Sequence, residues 1–116
     1  MNKLTLISII LFSVSTYANT TGNDLIDGYR AYLKANDETS TLSGGDMYNG
    51  AYYQGFINGT ADSSSGSSWC SSPGETISNA QLYDVVGQYL TNHPEKRSQP
   101  GNIIINDALS SAFPCS

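Results

Sequence analysis

Residues 78–94 read SNAQLYDVVGQYLTNHP, and this stretch decides the fold. Leu82, Val85, Val86, Tyr89 and Leu90 recur at spacings of three and four, which puts them on one face of an α-helix. Ser78 and Gln81 stand three apart at its start, the pattern of a capping box, with Thr76 as a competing N-cap. Pro94 has no amide hydrogen and restricts the residue before it, so the helix is expected to end at Asn92 or His93.

Downstream, after Ser98-Gln99-Pro100, a second periodic run carries Ile104 or Ile105, Ala108, Leu109, Ala112 and Phe113. Three successive isoleucines, Ile103 to Ile105, suit a strand, but the three-and-four spacing from Ile105 to Ala112 favours helix. Pro114 stops it, and Cys115 follows at once. Upstream, Leu25, Ile26, Tyr29, Tyr32 and Leu33 give another amphipathic helix, with Asn23 as its cap and Asn36-Asp37 as its end.

Between these lies DMYNGAYYQGFINGTA, from Asp46. Read as a helix, it places Met47, Ala51 and Gly55 on one side and Tyr48, Tyr52, Phe56 and Gly59 on the adjoining one. Each interior glycine costs about 1 kcal/mol of helix stability. Gly50, Gly55 and Gly59 are therefore expected where another helix or an aromatic ring packs against the backbone. A β segment over YYQGFI is the competing reading. The expected fold class is all-α, a small bundle of about four helices with one disulfide.

The chain opens MNKLTLISIILFSVSTYA, with Lys3 followed by an apolar run and then small residues to Ala18. This is the order of a secretory signal peptide, too short in its apolar part to span a bilayer. The expected organisation is a signal peptide over 1–18 and a single helical domain over 19–116, with no membrane insertion after cleavage. Export makes a Cys70–Cys115 disulfide the default reading, and closing a loop of that length should stabilise a small core by about 4 kcal/mol. Metal-ligand spacing is missing: His93 is the sole histidine and no C-x-x-C occurs.

Five Lys and Arg against ten Asp and Glu give a net charge of −5, or −6 once Lys3 is removed. That balance speaks against nucleic acid as a partner and against a cationic membrane-surface helix. No nucleophile elbow, phosphate loop or H-E-x-x-H is present, so no catalytic residue, cofactor or metal is expected. Asp62, Glu75 and Asp84 are the carboxylates for any acid–base pair, and each reads more simply as solvated surface. The acidic set Asp24, Asp27, Asp37, Glu38, Asp46 and Asp62 is either ordinary solubility or complementarity to a basic protein. His93 sits where an imidazole suits the C-terminal end of a helix dipole. Trp69, in the serine-rich loop Ser63–Ser68 and its sequel, is either folded back on the core or exposed as a binding anchor.

Cys70-x-x-Pro73, Gln81-Leu82, Val85-Val86, Tyr89-Leu90, His93-Pro94-Glu95, Ala108-Leu109 and Phe113-Pro114-Cys115 form an ordered series. Tyr53-x-Gly55-Phe56-Ile57-x-Gly59 precedes it. Together these resemble the small exported immunity proteins of the Tai/Rap type, over most of Asn49 to Cys115. The chain departs from the family where many members carry Cys in place of Tyr53 and Ala in place of Gly101. The resemblance implies a helical, periplasmic, dimeric protein that protects a bacterium from peptidoglycan-cleaving amidase effectors of the type VI secretion system. It implies binding to the cognate effector and occlusion of its cleft, without catalysis. Gly55, Gly59, Pro73, Gln81, His93, Pro94 and Pro114 then read as scaffold. Trp69, Ser67, Ser68, Glu75, Arg97 and Tyr48 are the candidate effector contacts, with Cys70 and Cys115 as the staple. The alternative reading is a periplasmic acid-stress chaperone, against which stand the few basic residues of the exported part.

Overall fold

The described residues form four α-helices, and three of them open on a reciprocal capping pair three residues apart. The computed structural model describes residues 19–116; the expected leader, 1–18, lies outside the described residues. The helices are α1 (Gly22–Ala35), α2 (Gly44–Ser64), α3 (Asn79–Asn92) and α4 (Gly101–Ala112), with one 3₁₀ turn at Pro94–Lys96. The fold is all-α, with four helices, no sheet among the described residues, and one disulfide.

The caps explain the boundaries. Ser78 Oγ accepts from the Gln81 amide at 3.2 Å while Gln81 Oε1 accepts from the Ser78 amide at 2.7 Å, so the capping box of α3 forms as read and Thr76 is not used. In α1 the N-cap is Thr21 rather than Asn23: the Thr21 amide donates to Asp24 Oδ2 at 2.9 Å. That carboxylate also lies in the first turn, where the helix dipole favours negative charge. Ser43 and Asp46 build the same reciprocal cap, so α2 begins before Asp46. No side chain caps α4; the Thr20 carbonyl accepts from the Gly101 amide at 2.7 Å instead.

In α2 the expected close packing against a glycine occurs at Gly50 and fails at Gly55 and Gly59. Gly50, Tyr53, Ile57, Ala61 and Ser64 face inward, while Ala51, Gly55 and Gly59 are exposed. A Cβ at Gly55 or Gly59 would meet nothing within 4 Å, so neither permits a close approach. The apolar residues of α2 are spread around the helix, and spacing alone does not say which face is covered. The close approaches occur largely on other helices. At Gly28 of α1 a Cβ would lie 2.7 Å from Tyr53 Cβ, and at Gly87 of α3 it would strike the Tyr29 ring. Gly28 meets Tyr53 and Asn49 while Gly50 meets Ala31 and Tyr32, so α1 and α2 run antiparallel.

Leu25, Tyr53, Ile57, Val86, Leu90, Ile104, Ile105 and Leu109 form the inaccessible centre, one or more from each helix. A tyrosine cluster lies against it: Tyr29, Tyr32 and Tyr53 have ring centroids 5.7–6.3 Å apart, and Tyr83 stands 5.4 Å from Tyr32 and 6.2 Å from Tyr53. Tyr53 Oη donates to the Tyr83 carbonyl at 2.5 Å, which satisfies the one polar atom of a fully buried side chain.

Two sets of backbone bonds hold the ends. The Gly22 and Asn23 amides donate to the Gln99 and Arg97 carbonyls, tying the start of α1 to the α3–α4 link. At the other pole the Cys70 amide donates to the Phe113 carbonyl at 2.9 Å, beside the Cys70–Cys115 disulfide. Trp69 belongs to this second pole. It is only 7% exposed, donates from Nε1 to the Ala61 carbonyl at 3.1 Å and packs 6.2 Å from the Phe113 ring. The anchor reading of Trp69 is therefore corrected: a ring this size gains more by covering the end of the core than by standing in water.

Candidate binding surface

The remaining candidate contacts do not share one surface. Ser67 and Ser68 are exposed at the disulfide pole, where their amides donate to the Ser64 carbonyl. Tyr48 is 68% exposed near the start of α2, about 24 Å from Ser64 at the usual helical rise. Glu75 is exposed in the loop before α3. Arg97 is half-buried in the α3–α4 link and has a structural task. Its Nε donates to the Leu90 carbonyl at 2.8 Å and its Nη2 reaches the Thr91 carbonyl at 3.4 Å. Those carbonyls belong to the last turn of α3, which has no helical partners for them, so a cation there satisfies both hydrogen bonding and the dipole.

His93 takes the C-cap position of α3, with its ring 4.4 Å from that of Tyr89 and Nδ1 3.1 Å from Glu95 Oε1. Its position at the helix end agrees with a capping role. A backbone hydrogen bond, then the contact with His93, holds the Glu95 carboxyl below its usual range. Lys96 Nζ donates to Tyr89 Oη at 3.0 Å, and this bond raises the ammonium above its ordinary value. Both cysteines are spent in the disulfide, which leaves this imidazole no thiol to activate. Among the described residues no three His, Cys, Asp or Glu are gathered closely enough to hold a metal ion. No described helix is long and apolar enough to cross a membrane.

What the surface does offer is an aromatic ridge. Tyr48, Tyr52 and Phe56 stand at i, i+4 and i+8 along α2 with ring centroids 6.1 and 5.9 Å apart and planes within 24° of parallel. Tyr52 is 42% exposed, and Ile103 beside it on α4 is 46% exposed. Tyr52 is the wall between two open clefts. One, of about 340 Å3, lies between α1 and α2 and is lined by Asp24, Asp27, Tyr48 and Asn49. The other, of about 520 Å3, runs toward α4 and is lined by Phe56, Pro100, Asn102 and Ile103. The spacing groups Tyr48, Tyr52 and Phe56 correctly, so the sequence held the signal for this ridge. It did not hold the covering of the opposite face of α2 by Tyr53 and Ile57.

No curated protein matches the chain. The family model of the Rap1a immunity proteins matches residues 21–115, from the N-cap of α1 to the second half-cystine, and the chain belongs to that family.

Proposed function

We propose that this protein is an exported immunity protein that works in the periplasm after loss of residues 1–18. There it binds a peptidoglycan amidase delivered by a type VI secretion system and occludes the active-site cleft. The observation that carries this reading is the match to the Rap1a immunity proteins across residues 21–115. Two further features support it. The loop-closing disulfide suits an oxidising compartment, and an exposed aromatic ridge is the kind of surface that protein partners use. The protein acts by steric exclusion, as a homodimer, and makes or breaks no bond itself.

The test is a titration of the purified exported chain into type VI peptidoglycan amidases, with release of cleaved peptide read by chromatography. The expected result is stoichiometric inhibition of one of them with a Kd of about 1 nM or below, near −12 kcal/mol. A chain that leaves every such amidase fully active, or that itself hydrolyses peptidoglycan, would refute the reading. Sedimentation of the free protein is expected to give twice the chain mass.

A further inference from the structure

We propose that the cleft between α1 and α2 seats one basic side chain, an arginine or lysine, of the protein partner. The inference rests on the function proposed above for the identity of that partner, and it adds where the partner is gripped and by what chemistry. The ridge leaves the stacked rings of Tyr48 and Tyr52 exposed, with Phe56 half-buried behind them, and exposed aromatic rings are the usual mark of a protein interface.

The chemistry of the cleft selects the occupant. Its α1 wall carries Asp24 and Asp27, and its α2 wall carries the rings of Tyr48 and Tyr52. Asp24 uses Oδ2 to close the α1 cap, and Asp27 uses Oδ1 for an exposed pair with Arg30 at 3.1 Å. Among the described residues, each carboxylate therefore keeps one oxygen that accepts no hydrogen bond. A guanidinium or ammonium entering here meets carboxylate on one side and aromatic rings on the other, two attractions that a neutral group lacks. The second cleft, across Tyr52, sets Phe56, Pro100 and Ile103 opposite the polar Asn19, Thr20 and Asn102, and its apolar side takes an aliphatic neighbour of that basic residue.

A second copy of this chain is the poorer occupant. A twofold interface on this face brings Asp24 and Asp27 of both copies together, in a protein whose net charge is already −5. The homodimer of the proposed function therefore uses another face.

The experiment uses the chain recovered after export and two capped dipeptides, acetyl-Leu-Arg-amide and its neutral counterpart acetyl-Leu-citrulline-amide. Amide chemical shifts are followed by NMR. Saturable shifts are expected at residues 24–28 and 48–52, with the arginyl probe binding at least about tenfold tighter than the citrullyl one, a gap of about 1.4 kcal/mol. Asp27→Lys is expected to abolish saturation. Asp62→Lys makes the same charge change about 21 Å from Tyr48 along α2 and should leave binding unaltered.

Equal affinity for the two probes, shifts elsewhere, no binding, or full retention by Asp27→Lys would each overturn the inference. So would a dimer that Tyr52→Ala converts to monomer, since a second copy would then hold this face. The two readings fail separately. A chain that inhibits an amidase yet does not seat the arginyl probe loses this inference alone. A chain that seats the probe yet inhibits no amidase loses the proposed function.

Discussion

The ring of Tyr29 lies against the bare backbone of Gly87: a Cβ built on that glycine would fall 2.2 Å from Tyr29 Cε2. The ring has little room to retreat, because Tyr32 and Tyr53 stand 6.3 and 5.7 Å from it on the same cluster. This contact joins α1 to α3, beside the edge-on packing of Tyr32 against Tyr83.

Gly87→Ala therefore sets two effects against each other. Alanine gains about 1 kcal/mol of helix propensity, while forcing a methyl into a filled site costs typically about 1–3 kcal/mol. An overlap this deep puts the balance on the side of loss, and urea unfolding is expected to show a net destabilisation of about 1–2 kcal/mol. Adding Tyr29→Ala removes the obstruction, so the same glycine substitution should then stabilise. Simple additivity of the two changes would mean that the contact carries no energy.

Much of this was legible in the sequence, for reasons that differ by element. α3 was readable to within one or two residues at each end, because Ser78, Gln81 and Pro94 limit it by local chemistry. α2 was readable as a helix but not as an oriented one. Its glycines suggested close packing, yet Gly55 and Gly59 face open space and the tight contacts fall at Gly28 and Gly87. Which glycine a neighbour approaches is set by tertiary placement, and no local pattern encodes it. The candidate site shows the same division. Tyr48, Tyr52 and Phe56 were grouped by their spacing, while Asp24, Asp27 and Ile103 came to flank them only once α1, α2 and α4 met around Thr20. Arg97 reads as a loop cation in sequence, and only the folded chain brings it onto the last carbonyls of α3.

Asp46 gives a pH prediction. A hydrogen bond from Lys34 Nζ at 2.7 Å, then those from Ser43, whose amide donates at 3.0 Å, lower its carboxyl to about 2. The folded value lies below the unfolded one, near 3.9. Its contribution to stability is therefore complete above about pH 4 and is lost as pH falls through about 2. Carboxyl-carbon NMR should place the Asp46 midpoint near 2 in the folded chain. Lys34→Met should raise it part of the way back, since the Ser43 bonds persist. An unmoved midpoint in that variant would assign the shift to the helix cap alone.

Removing the disulfide tests how the second pole is held. Cys70 and Cys115 are 45 residues apart, and opening a loop of that length costs about 4 kcal/mol in the chain-entropy model. The double variant Cys70→Ala/Cys115→Ala is expected to lose about that much in urea unfolding, a large share of the stability of a domain this size. A loss under about 1 kcal/mol would show that the Cys70–Phe113 backbone bond and the Trp69–Phe113 contact hold the pole unaided.

Trp69 separates scaffold from interface. Trp69→Phe keeps an aromatic ring against Phe113 but trims the buried indole to a smaller ring and removes the Nε1 donor to the Ala61 carbonyl, which the Ser65 amide at 2.9 Å still satisfies. The expected cost is about 1 kcal/mol, against about 3–5 kcal/mol for Trp69→Ala, which also empties the site. As the sole tryptophan it reports on itself: its emission should be blue-shifted and poorly quenched by acrylamide in the folded chain. Because the ring is buried on the core side of the disulfide pole, either substitution should weaken inhibition only as far as it unfolds the protein. A tenfold loss of inhibitor affinity, about 1.4 kcal/mol, in a Trp69→Phe variant of unchanged stability would return Trp69 to the contact surface. It would also place the grip at the serine loop and away from the α1–α2 cleft.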